Sequence, residues 1–494
     1  MLVLILFGMV LGLMLIGVPI AVALGLSSII FLLVNSDASL GSVAQTLFSA
    51  FDGHFTLLAI PFFVLASTFM STGGVARRII RFAIALVGHL PGGLAIASVV
   101  ACMIFAALSG SSPATVVAIG SIVIAGMVKA GYTKEFAAGL ICNAGTLGIL
   151  IPPSIVMVVY SAATDVSVGR MFLGGVIPGI LAGLLLIAGI IGFARFKGLP
   201  SQPWAGWPEV LSSLVESLWG LFLVVIILGG IYGGFFTPTE AAAVAAVYSF
   251  FVANFIYRDM GSLADVTRES SGFLRRADQA ADGLSAGGGR GVGTLVAIGY
   301  THFLRHLLVL LSRPQALITT WFHPDNRKAL LDSGKLTIML MFIIANALIL
   351  KHVLTEERIP QMLTESMLAA GFGPVMFLIL VNIILLIGGQ FMEPSGLIVI
   401  VAPLVFPIAM ELGIDPIHLG IIMVVNMEIG MITPPVGLNL FVTAGVARMS
   451  VLDVVKASLP WVTILFFFLI LVTWVPVIST WLPTLMMGPE IIIK

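Results

Sequence analysis

The chain has 494 residues, of which 59% are apolar and 9% charged, against roughly 25% charged in an ordinary soluble domain. Lys plus Arg and Asp plus Glu each number 23, so the net charge is zero. This balance excludes a nucleic-acid binder, which must neutralise phosphates, a soluble multidomain enzyme, whose surface needs more charge, and a disordered chain, which is poor in apolar residues.

The mean hydropathy of +1.16 fits a polytopic membrane protein. At roughly 20 residues per crossing, about ten crossings fit. The N-terminus, Met1 to Leu6, carries no basic region, and its apolar run continues to about Val34. It reads as a retained membrane helix and not as a cleaved leader. Further apolar segments of spanning length lie at about 55–73, 171–194, 217–236, 239–256, 336–352 and 459–478. Two stretches, 90–165 and 370–447, are apolar but punctuated by Gly, Ser, Pro, Asn and Thr. Non-helical backbone at membrane depth is tolerated where it is buried in protein or lines a cavity. Each stretch is therefore expected to hold a re-entrant helical hairpin and a broken helix.

The charges crowd into 258–335, around Gly287-Gly288-Gly289-Arg290-Gly291, which reads as one cytoplasmic loop. Within it, Leu295–Leu311 is apolar with His302, Arg305 and His306 interleaved. It is either an amphipathic surface helix or an ordinary solvated or buried loop helix, and the two histidines read as a solvated or interfacial pair. Placing the Lys and Arg clusters in the cytoplasm makes the two hairpins enter from opposite sides and puts both termini outside. The expected division is scaffold 1–89, first transport repeat 90–198, scaffold 199–257, loop 258–335, scaffold 336–369 and second transport repeat 370–494. Cys102 and Cys142 offer neither a disulfide framework nor a metal cluster.

An internal repeat carries the chemistry. Gly148-Ile149-Leu150-Ile151-Pro152-Pro153 matches Gly430-Met431-Ile432-Thr433-Pro434-Pro435, with Asn143 and Asn426 upstream of each. Further upstream stand two polar breaks, Ser109-Gly110-Ser111-Ser112-Pro113 and Gly388-Gly389-Gln390-Phe391-Met392-Glu393-Pro394-Ser395. Two such units in opposite orientation mark an inverted-repeat secondary transporter. Proline lacks an N–H and clashes with the carbonyl four residues back. The paired prolines should thus free the carbonyls of Gly148, Ile149, Gly430 and Met431. Carbonyl, Ser, Thr and Asn oxygens suit sodium, a hard cation. Candidate ligands are Ser109, Ser111, Ser112, Asn143, Thr146 and Gly148 for one sodium site, and Glu393, Ser395, Asn426, Gly430 and Thr433 for a second. Ser112, Pro113, Thr115, Pro152, Pro434 and Asn439 border the candidate substrate site between the copies. The plain alternatives are that Ser111, Ser112 and Thr115 bond their own helix backbone. Glu393 and Glu428, carboxylates in apolar surroundings, are ion ligands, proton carriers or structural partners.

His-Glu-x-x-His, Walker and Gly-x-Ser-x-Gly patterns are absent from the sequence. The reading is a non-enzymatic protein not driven by ATP within this chain and with no cofactor beyond sodium.

The motifs 107–115, 143–154, 332–335 and 426–439 resemble the large, DctM-like membrane subunit of tripartite ATP-independent periplasmic (TRAP) transporters, over about 1–257 and 328–485. The resemblance implies an all-α, elevator-type importer in the bacterial inner membrane. Its cargo would be a small organic anion of the C4-dicarboxylate or sialic acid class, moved with sodium. It implies two partners, a periplasmic DctP-like substrate-binding protein and a small four-helix DctQ-like membrane subunit. The 258–327 segment departs from the family pattern. Alternative readings are a stand-alone sodium/divalent-anion symporter, an ion channel and an intramembrane enzyme.

Overall fold

The computed structural model describes residues 2–35, 41, 45, 55–71, 73–264, 314–369 and 371–490. Every regular element among them is helical. The helices arise where apolar runs begin behind a capping side chain. Thr133, Ser154, Ser167, Asp415 and Ser450 each accept from an N–H in the first turn of the helix they start, and Thr237 with Glu240 forms a reciprocal capping box.

Seven helices among the described residues are long and apolar enough to cross a bilayer: Ser112–Lys129, Val168–Lys197, Trp207–Tyr232, Pro238–Leu263, Pro324–Glu356, Pro394–Glu411 and Val451–Trp474. The helix from Pro324 runs unbroken through Lys335 to Glu356. The expected loop therefore gives up 324–335 to a membrane helix, whose first turns carry its cations. The Leu295–Leu311 segment, with His302 and His306, lies outside the described residues.

Both punctuated stretches form a helical hairpin followed by a broken helix. The first hairpin pairs Gly93–Ser109 with Ser112–Lys129. Its broken helix consists of Lys134–Ala144, a 3-10 turn at Gly145–Ile149, and Ile155–Thr164. The second hairpin pairs Pro374–Gly389 with Pro394–Glu411, and its broken helix is Pro416–Gly430 followed by Leu438–Ala447. The peptide bond inside each Pro-Pro pair is cis.

The two units interlock. Ser112–Lys129 packs on Leu438–Ala447, and Pro394–Glu411 packs on Ile155–Thr164. Each hairpin thus lays its second arm on the far half of the other unit's broken helix. Around them, Ala59–Met70 packs on Pro238–Phe251 and Pro324–Glu356, which also packs on Ile20–Asn35. One hydrophobic core runs through all of this, and a smaller one gathers Phe69, Phe250, Phe255, Met260, Leu263, Ala316 and Ala329.

Candidate functional site

Each hairpin tip meets the break of its own unit, and a glycine makes the approach possible. At Gly148, a Cβ would stand 2.6 Å from the Ser111 carbonyl oxygen and 2.8 Å from Thr115 Oγ1. At the matching Gly430, it would stand 2.6 Å from the carbonyl carbon of Gly389. The second tip is also tied by a hydrogen bond from the Gly437 N–H to the Gln390 carbonyl, 3.1 Å.

The prolines open the helices as expected, but the carbonyls of Ile149, Gly430 and Met431 find partners inside the protein. Ser154 Oγ donates to the Ile149 carbonyl at 2.6 Å. The Asn439 N–H donates to Met431 at 3.0 Å, and the Thr433 N–H to Gly430 at 3.2 Å. A carbonyl keeps a second lone pair, so the Gly430 oxygen is still able to serve a cation. The expectation of free carbonyls is corrected at these three residues.

The oxygens without a donor are instead on side chains. Asn143 Nδ2 donates to the Gly139 carbonyl at 2.8 Å, and Asn426 Nδ2 donates to Ile422 at 2.8 Å. Each asparagine spends its amide N–H on the turn before it, and each Oδ1 is buried without a hydrogen-bond partner. The Oδ1 of Asn439 and the Oε2 of Glu428 are in the same condition. A buried acceptor with no donor is costly, and a bare cation is one group that satisfies it. Thr433 Oγ1 donates to Ile429 at 2.7 Å, so its lone pairs are what it has left to offer.

The first set of candidates comes together. Thr115 Oγ1 lies 2.9 Å from Ser109 Oγ and donates to the Ser111 carbonyl at 2.9 Å. The plain alternative of a helix-backbone bond is thus realised for Thr115. Ser112 Oγ accepts from Asn439 Nδ2 at 2.6 Å, across the two units. Thr146 Oγ1 donates to the Asn143 carbonyl at 2.6 Å and stands 2.6 Å from Glu428 Oε1.

The second set is divided. Asn426, Gly430 and Thr433 flank the break, with Asn426 Nδ2 also bonded to Asn382 Oδ1 at 2.7 Å. Glu393 and Ser395 are engaged elsewhere. Glu393 caps the helix it precedes, its Oε2 accepting from the Gly396 N–H at 3.0 Å and its Oε1 from Ser395 Oγ at 2.9 Å. Glu393 thus satisfies one of the orphan N–H groups at a helix start, and the Ser395 hydroxyl is spent on Glu393. Ser112, Thr115, Pro152 and Asn439 are buried, Pro113 is half-buried and Pro434 is exposed. The border of the candidate substrate site is thus closed at the first break and open at the second.

Glu428, a carboxylate in apolar surroundings, stands outside the candidate ligand sets but touches the first of them through Thr146. Its signal was available. Thr146 and Glu428 each stand two positions before the glycine of their own break, so they are equivalents in the repeat. The motif residue Ser333 sits apart from the breaks, donating to Thr68 Oγ1 at 2.8 Å.

The sequence model of the tripartite ATP-independent periplasmic transporter, DctM component, matches residues 7–282 and 292–478. The chain belongs to this family. It is 71% identical over 489 residues to the C4-dicarboxylate TRAP transporter large permease protein DctM of Vibrio cholerae, covering 99% of each chain. It is 56% identical over 461 residues to the protein of that name in Pseudomonas aeruginosa, covering 93% of each. It is 30% identical over 478 residues to the sialic acid TRAP transporter large permease protein SiaM of Vibrio cholerae, covering 97% of each. The solved YdaH transporter of Alcanivorax borkumensis superposes with a TM-score of 0.48 at 16% identity over 89% of each chain.

Membership in the DctM family and the seven membrane-length helices make the chain a multi-pass protein of the bacterial inner membrane. The match also corrects the reading of 258–327 as a departure from the family. Only 283–291, around the glycine run, falls between the two matched ranges.

Proposed function

We propose that this DctM-family chain is the large permease subunit of a sodium-coupled importer of C4-dicarboxylates. The observation that carries the reading is a pair of asparagines, Asn143 five positions before Gly148 and Asn426 four positions before Gly430. Both are fully buried, both donate backward along their helix, and both leave Oδ1 without a partner. One such oxygen near each break supports one cation site at each break. Ser109, Ser111, Ser112, Thr146 and Gly148 would complete the first, and Gly430 and Thr433 the second. A dicarboxylate carries two negative charges, and charge is costly at membrane depth. Bound sodium ions offset that charge for the crossing.

The substrate class follows the names of the most similar relatives reported above. The tripartite family supports two partners, a periplasmic binding protein that delivers the anion and a small membrane subunit. The interlocked hairpins and broken helices support an elevator motion, in which they travel as one body against the surrounding helices.

Uptake in proteoliposomes tests the reading. The chain is reconstituted with its small subunit, and labelled succinate is supplied with and without a sodium gradient and the binding protein. Uptake that needs both is the expected result. Sodium-driven uptake without the binding protein would establish a stand-alone symporter instead. Equal uptake with potassium in place of sodium would end the sodium assignment.

A further inference from the structure

Thr146 and Glu428 are equivalent positions of the repeat, and they touch each other. Each stands two residues before its break glycine, Gly148 or Gly430. Their side chains meet at 2.6 Å, and both residues are fully buried. In an assembly of two related halves, equivalent residues meet only at the axis that relates the halves. This contact therefore lies where the two units face each other, and it comes from the break segments themselves.

Its surroundings give it a role. Thr146 lies between the site-one candidates Asn143 and Gly148, and Glu428 lies between the site-two candidates Asn426 and Gly430. The Thr146 hydroxyl is shared, standing 2.6 Å from both the Asn143 carbonyl and Glu428 Oε1. A hydroxyl has one proton and cannot donate fully to two acceptors. Any movement of Glu428 consequently alters how Thr146 engages the Asn143 backbone. The result is a continuous path of side chain and backbone from one break to the other.

We infer that Glu428 is a positioning residue that couples the two cation sites, acting through Thr146. The inference rests on the sodium-site reading above. Sodium at Asn426 and Gly430 fixes the segment that carries Glu428. Glu428 then holds Thr146, and with it the oxygen set around Asn143, in the geometry that binds the second ion. Coupling of this kind is reciprocal and is carried by a physical contact between two sites.

The test is the sodium dependence of succinate uptake by the reconstituted complex, read as a midpoint and a Hill coefficient. The wild-type coefficient is expected to exceed one. Glu428→Ala should bring it toward one and raise the midpoint about fivefold or more. Glu428→Gln keeps an Oε1 that accepts from Thr146, so it should retain cooperativity. Thr146→Val should reproduce the Glu428→Ala behaviour, and the double variant should be no worse than Thr146→Val alone. An unchanged coefficient in Glu428→Ala overturns the inference, as do multiplicative losses in the double variant. Glu428→Gln as impaired as Glu428→Ala also overturns it, because charge and not the shared hydrogen bond would then be at work. If Glu428→Ala fails to assemble, Thr146→Val, which removes the hydroxyl, against Thr146→Ser, which keeps it, still decides: equal coefficients in the two overturn the inference. Wild-type uptake indifferent to sodium would instead bring down the sodium reading itself.

Discussion

Gly430 lies against Gly389 so closely that a methyl group on it would stand 2.6 Å from the Gly389 carbonyl carbon. The obstacle is backbone and cannot swing aside. The equivalent Gly148 faces the Ser111 carbonyl oxygen at the same 2.6 Å. Gly430→Ala and Gly148→Ala should each force the hairpin tip off the break, with about 1–3 kcal/mol of overpacking strain. Transport should fall sharply in both. Gly126, in an arm of the first hairpin, has nothing within 4 Å of its Cβ position, so Gly126→Ala should transport normally. Initial uptake rates, normalised to folded protein from size-exclusion profiles, check this.

Thr433 gives its hydroxyl proton to the Ile429 carbonyl at 2.7 Å, leaving lone pairs for a cation. Thr433→Val removes those lone pairs while keeping the shape. The midpoint for sodium should rise by about tenfold, as for the loss of roughly 1.4 kcal/mol of binding. Thr433→Ser should restore it. A sodium titration of uptake for the three proteins is the measurement. Equal midpoints would remove Thr433 from the site.

The repeat, the two hairpins and the broken helices were legible in the sequence because each is written in residues with a single strong backbone effect. Pro152-Pro153 and Pro434-Pro435 cannot continue a helix, and Gly110 closes the first tip at a φ of 58°. What the sequence did not reveal is where polar side chains turn. Glu393 has the composition of a buried ion ligand, yet the helix start beside it takes its carboxylate. Local capping competes with long-range function, and the sequence holds no sign of which prevails. The Thr146–Glu428 contact spans 282 positions. It follows from the repeat only once the two halves are known to face each other.

A buried amide pair joins Asn254 to Asn326. Asn326 Nδ2 donates to Asn254 Oδ1 at 2.7 Å and to the Thr320 carbonyl at 2.8 Å, and Asn254 Nδ2 reaches Asn326 Oδ1 at 3.2 Å. Asn326→Leu leaves the Asn254 amide and the Thr320 carbonyl without these partners. The cost should be about 1–3 kcal/mol, visible as a lower Tm in detergent. Replacing both asparagines by Leu should recover part of the loss for the amide pair, since both polar partners then vanish together. An unchanged Tm in Asn326→Leu would show that the pair does not hold the fold.

Arg81 binds Glu209 through two bonds of 2.7 and 2.9 Å and Glu216 at 2.7 Å. These tie helix Gly73–Val87 to Trp207–Val224. A lysine keeps the charge but not the planar fork, so Arg81→Lys should lower Tm slightly. The side chain is 40% exposed, and the difference should shrink as salt is raised. Melting curves at low and high ionic strength distinguish this from a packing defect, which salt would leave alone.

The unpartnered oxygens at the two breaks are the proposed sodium ligands. Equilibrium binding of radiolabelled sodium to the purified chain, without substrate or binding protein, tests this assignment most directly. The expected result is saturable binding displaced by unlabelled sodium but not by potassium, and weakened by Asn143→Ala and by Thr433→Val. Absence of saturable binding, or binding equal in the wild type and both variants, would contradict it.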